Sequence, residues 1–143
     1  MAGLKAFPHI WEKMELLDHQ TFRNVGWTIM WNLAIAQLRN GRSIVLDGVA
    51  RDPEIERTRE IAESVSARSF VILCSVTGTD LHAARISDRV RNIPLWPELK
   101  WGDVQRTVAN FEISEKVDLR LDTAEPIEIS RDDILSALSR DGH

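Results

Sequence analysis

The stretch Ser43-Ile44-Val45-Leu46-Asp47-Gly48 constrains this chain more than any other. A short apolar run that stops abruptly at a carboxylate and a glycine fits a strand covered on both faces, as strands of parallel sheets are. Open parallel sheets bind their ligands in the crevice beyond the carboxyl ends of the strands, which is where Asp47 would stand. The competing reading is that Asp47-Gly48 is a turn signal and nothing more.

The neighbouring sequence supports the sheet. A helix is expected from Gly26, because Trp27, Met30, Trp31, Ala34, Ile35 and Leu38 recur at helical spacing while Asn32, Gln37, Arg39 and Asn40 take the other side. Asn40-Gly41 closes it. After the loop from Gly48 to Pro53, a charged helix runs from Glu54 to about Ala67, with Ile55, Ile61, Ala62 and Val65 as its narrow apolar face. Phe70 to Cys74 is the next strand, and strand, helix, strand at this spacing implies a right-handed parallel crossover. A helix from about Asp80 carries Arg85 and Arg89 one turn apart. The segment from Asn92 to Trp101, with Pro94, Trp96 and Pro97, reads as an irregular excursion. A helix from Asp103 to Phe111 presents Val104, Val108 and Phe111, and the alternation from Val117 to Leu121 reads as a third strand nearer the sheet edge. Ser130 is the expected N-cap of a last helix, ending near Leu138, whose buried stripe is Ile134, Leu135 and Leu138. Two short helices are expected before the first long one, around Ile10 to Leu17 and beyond.

With 143 residues, 43% hydrophobic and 28% charged, the chain is expected to form one globular α/β domain. A net charge of -4 offers no electrostatic basis for binding nucleic acid, so none is expected as a partner. No apolar segment approaches the ~20 residues of a membrane span, and no signal-peptide pattern is present, so a cytoplasmic protein without membrane contact is expected. Cys74, in an apolar run, is expected to be a core thiol. The four histidines are scattered and make no metal-ligand or triad spacing, which leaves little for a nucleotide-independent hydrolase or transferase using Asp47; His82, one turn before Arg85, is read as a surface residue or a neighbour of the same crevice.

Taken in order, Leu38-Arg39-Asn40-Gly41-Arg42-Ser43, Ile44-Val45-Leu46-Asp47, Ala84-Arg85-Ile86-Ser87-Asp88-Arg89-Val90-Arg91, Pro94-Leu95-Trp96-Pro97-Glu98-Leu99-Lys100-Trp101 and Leu119-Arg120-Leu121-Asp122-Thr123 resemble the P-loop kinase-like ATP-binding family of small phosphotransferases. The resemblance spans about Trp27 to Leu138. It implies a three-layer parallel sheet with flanking helices, ATP and Mg²⁺ as cofactors, and a small-molecule phosphate acceptor as substrate. By the same resemblance, Asp47 would be the Walker B carboxylate that holds Mg²⁺, usually through water. Arg85, Arg89 and Arg91 would be lid arginines closing on the transferred phosphoryl group, a task that suits planar, permanently charged forks. Asp122 and Thr123 would border the nucleotide base, and Arg51 would face the acceptor. The alternatives are a solvated helix face pairing with Asp80 or Asp88 for the arginines, a polar strand end for Asp122-Thr123, and turn geometry for Arg51.

The chain departs from that family in lacking the P-loop: it has seven glycines and four lysines, and no Gly-Lys pair. In the family, the backbone N–H groups and lysine of that loop hold the phosphates, and its strand lies between those matching 44–47 and 70–74. Without it, either the sheet closes up, or another chain, a second copy included, fills the gap, or the sequence is a fragment. Two functions are therefore expected: a kinase-like domain impaired in phosphotransfer as it stands, or a binding module descended from the fold, with Trp96 and Trp101 as contact residues.

Overall fold

The computed structural model describes residues 19–90, 92 and 98–140. The chain divides between Ser69 and Phe70 into two compact units. The first holds α1 (His19–Arg39) and α2 (Asp52–Ser64); the second holds β1 (Ile72–Ser75), α3 (Thr79–Asp88), α4 (Trp101–Ala109), β2 (Leu119–Asp122) and α5 (Ile127–Arg140). Helices and parallel strands together make an α/β chain, as its alternating patterns predict.

In the first unit α1 packs against α2. Trp27 and Ala34 of α1 and Ile55, Ile61 and Ala62 of α2 are buried, all positions that the helical spacing singles out. The rings of Trp27 and Trp31 lie 5.7 Å apart and tilted by 34°. Trp31 has a polar edge to satisfy, and its Nε1 donates to Thr58 Oγ1 at 3.0 Å. Glu54 adds an ionic tie: it is buried, accepts the Arg51 N–H on Oε2 at 2.8 Å, and pairs with the Arg23 guanidinium on the same oxygen. One carboxylate thus serves the first turn of α2 and the amino-terminal half of α1. At the other end of α1, Gly41 takes φ +69°, Gly41 N–H donates to Leu38 O at 2.9 Å, and Arg42 N–H donates to Gln37 O at 3.1 Å. This is the left-handed glycine closure that Asn40-Gly41 predicts.

In the second unit β1 and β2 pair in parallel, with Ile72 opposite Leu119 and Ser75 opposite Asp122. The crossover between them contains α3 and α4, which contact each other, and α5 packs on β2. Leu121 and Ala137 are buried there. Both strands fall one or two residues later than the apolar runs suggest, because the ladder extends into Ser75 and Asp122.

Several expectations are corrected. Residues 44–47 form no strand and lie outside the sheet; Val45 is 91% exposed. Apolar residues alone do not make a strand when no neighbour offers a ladder. Cys74 is exposed rather than in the core, since a two-stranded sheet leaves one face uncovered. The last helix begins at Ile127, with the Pro126 carbonyl accepting from Ile129 and Ser130 N–H, so Ser130 lies inside the helix and does not cap it. Val108 and Leu135 are exposed, and Val25, Ile29 and Leu33 form a second, exposed apolar stripe on α1. The helix expected at 10–17, Arg91, Pro94, Trp96 and Pro97 lie outside the described residues.

Because Glu54 is the buried partner of Arg23, Glu54→Ala should cost about 3 kcal/mol by leaving a guanidinium uncompensated. Glu54→Gln should cost less, as its amide oxygen still accepts the Arg51 N–H. Urea denaturation followed by tryptophan fluorescence would show both; an unchanged midpoint for Glu54→Ala would refute the tie.

Candidate functional site

The polar groups of the second unit gather where its two parallel strands end. After Ser75 the chain turns through Thr77 and Gly78, whose φ of +99° is one that few residues other than glycine adopt, and enters α3. Asp122 directs Oδ1 at this turn, accepting the Thr77 N–H at 3.0 Å and the Ala124 N–H at 2.9 Å. The Thr77 hydroxyl, these two N–H groups and, to a smaller extent, the charge of Arg85 stabilise the carboxylate and hold its pKa below the ordinary 3.8. Thr123 crosses back to β1: its N–H and its Oγ1 donate to Ser75 O at 2.7 and 2.8 Å. Arg85, reaching from α3, donates through Nη1 to Thr123 O at 2.8 Å.

Three residues that the resemblance implicates, Arg85, Asp122 and Thr123, thus meet at one strand edge. The partner of Arg85 is the Thr123 carbonyl, 38 residues away, rather than Asp80 or Asp88. Asp122 accepts from two backbone N–H groups and from the Thr77 hydroxyl, so it shapes the loop. The edge therefore presents a fixed guanidinium beside exposed strand ends, an arrangement that suits an anionic group.

Arg89 stands elsewhere in the same unit. It ends α3, with its N–H directed to Ile86 O at 3.4 Å, and lines a shallow cleft of about 420 Å³ with Ile86, Leu99, Lys100 and Trp101. His82 meets the Trp101 ring edge-on at 5.2 Å. Lys100, which sequence reading passed over, adds a second cation; its signal was its place immediately before a helix whose third residue, Asp103, accepts the Lys100 N–H at 3.0 Å.

Asp47 and Arg51 belong to the first unit. Asp47 is exposed, in the irregular segment between α1 and α2. The next residue, Gly48, lies so close to α1 that a Cβ would stand 3.3 Å from Trp27 Cζ2. Arg51 is half-buried beside Glu54, and its Nε is buried without an acceptor. Arg23, the other guanidinium at Glu54, gave no sequence signal, because nothing local marks a partner that far along the chain. A lone exposed carboxylate such as Asp47 fits Mg²⁺ held through its water shell and would need phosphate oxygens to complete the site. Among the described residues no group of three or more His, Cys, Asp or Glu side chains could hold a metal ion.

The depressed Asp122 pKa has a pH signature. A lowered folded-state pKa contributes stability that is present above the unfolded value and is lost as the pH falls through the folded one. In the second unit this loss should begin near pH 3.8 and continue below it. Carboxyl NMR titration should find Asp122 among the last carboxyls to protonate, and Asp122→Asn should remove that part of the acid dependence; a midpoint at or above 3.8 would contradict the hydrogen bonding described.

No family model, curated protein or solved structure matches this chain.

Proposed function

We propose that this chain is a kinase-like, nucleotide-binding α/β protein, derived from an ATP- and Mg²⁺-dependent phosphotransferase acting on a small-molecule acceptor and impaired in that reaction as it stands. The observation that supports the reading most is the meeting of Arg85, Asp122 and Thr123 at the carboxyl end of a parallel strand pair. Carboxyl ends of parallel strands are where open α/β sheets bind ligands, and a fixed arginine there is suited to phosphate. In this reading Arg85 contacts a phosphate at that strand end, and Arg89, farther along α3, lines the separate cleft with Lys100 and Trp101. The impairment follows from the sequence, since no G-x-x-x-x-G-K-[ST] motif is present to cradle the β- and γ-phosphates.

A second reading, a binding module without catalysis, is favoured by the same network viewed from its bonds. Arg85 bonds Thr123, Thr123 bonds the Ser75 carbonyl and Asp122 bonds the Thr77 and Ala124 backbone, so the network holds together without a ligand.

Calorimetric titration of the whole chain with Mg-ATP separates the two. The kinase-like reading expects weak binding, with a Kd of about 1 mM, corresponding to roughly 4 kcal/mol. Arg85→Ala should weaken it about tenfold, the loss of one charge-assisted contact. No binding, or binding that Arg85→Ala leaves unchanged, would overturn this reading in favour of the module.

A further inference from the structure

The cleft between the end of α3 and the start of α4 gathers unpaired donors around an apolar lining. Ile86, Val90, Leu99 and Trp101 supply the apolar surface, and Val90 and Leu99 are exposed. Its volume of about 420 Å³ falls within the roughly 300–1,000 Å³ of small-molecule sites. Trp101 is half-buried, and His82, one turn before Ile86 on α3, steadies its ring edge-on at 5.2 Å. Yet the Trp101 indole N–H donates to no described residue, whereas that of Trp31 finds Thr58. Arg89 and Lys100, the two cations of the lining, likewise form no ion pair with a carboxylate among the described residues. Asp103, three residues after Lys100, is engaged by the Lys100 N–H and by Arg106. Glu98, the acid among the lining residues, accepts the Asn92 N–H at 3.0 Å.

We propose that this cleft binds a small organic anion, a flat apolar body carrying a single acidic group. Charge and shape together select that class. Two cations and one carboxylate leave the lining with one net positive charge. A single acidic group neutralises it, whereas a polyphosphate would bring further negative charge against Glu98. Arg89 closes α3 and Lys100 precedes α4, so the two charges reach the cleft from separate elements and suit an acid with more than one oxygen. The apolar lining favours a hydrophobic body, and the indole of Trp101 favours a flat one, which can stack on it. The inference is independent of the kinase-like reading, because neither Arg85 nor the strand ends line the cleft.

The probe is anilinonaphthalene sulfonate, an aromatic dye with one sulfonate whose fluorescence rises in apolar surroundings. Titrated into the whole chain, it should saturate one site with a Kd of roughly tens of micromolar, the affinity expected of a ligand of its size. Phenylnaphthylamine, the same rings without the acid, should bind about tenfold more weakly, having lost the charge-assisted bonds. Arg89→Ala and Lys100→Ala alter exposed positions beside helix ends, and each should weaken the dye roughly five- to tenfold with unchanged far-UV circular dichroism. Glu98→Gln keeps an oxygen for the Asn92 N–H and removes the repelling charge, so it should tighten binding about threefold. Arg131→Ala, at an exposed arginine of α5 outside the cleft, should change nothing. The absence of saturable binding up to about 1 mM dye would overturn the proposal. So would equal affinity for the uncharged analogue, or dye binding that neither Arg89→Ala nor Lys100→Ala weakens, which would place the dye on another apolar surface such as the Val25, Ile29 and Leu33 stripe of α1.

Discussion

The second unit depends on how a very short parallel ladder is finished at its ends. Four residues in each strand form few cross-strand hydrogen bonds, and the backbone groups just beyond them would otherwise be left to solvent. Two aspartates, four residues apart on β2 and its approach, close both ends. Asp118 accepts the Val71 N–H where the strands begin, and Asp122 accepts the Thr77 and Ala124 N–H groups where they stop. Arg85 and Thr123 complete the carboxyl end by tying α3 and the β2 exit to it. Secondary structure and candidate site are thus built from the same side chains, and a change at either Asp122 or Thr123 alters both.

In the first unit the corresponding organiser is Glu54. Its position as third residue of α2 lets it accept the Arg51 N–H, while its burial makes pairing with Arg23 necessary. Trp31 supports the same helix pair through Thr58. These ties join elements distant in sequence, and among the described residues they hold the unit together without a sheet.

What could be read from the sequence follows the range of the interactions concerned. The register of α1, its closure at Gly41 and the buried face of α2 rest on contacts within a few turns, and spacing alone revealed them. The strands are legible as an apolar run at 70–74 and an alternation at 117–121, though their ends are set by Ser75 and Asp122, polar residues that local pattern assigns to loops. The segment 44–47 misled because burial on both faces is a property of the neighbours and not of the run. Arg85, Asp122 and Thr123 are singled out through a family resemblance, but the Arg85–Thr123 bond and the Asp122–Thr77 bond are not visible in any spacing. Arg23, Glu54 and Lys100 were missed for the same reason: their partners, or the cleft they line, are assembled only by the fold.

Gly48 sets the height of its loop above α1. With only a hydrogen where a methyl would stand 3.3 Å from Trp27 Cζ2, the backbone after Asp47 comes close against the indole, which sets the spacing between helix and loop. Asp47 is thereby held at a distance fixed by an aromatic side chain twenty positions earlier. The placement of the carboxylate is thus encoded in α1, so the shape of residue 27 is as much a determinant of that edge as the aspartate itself.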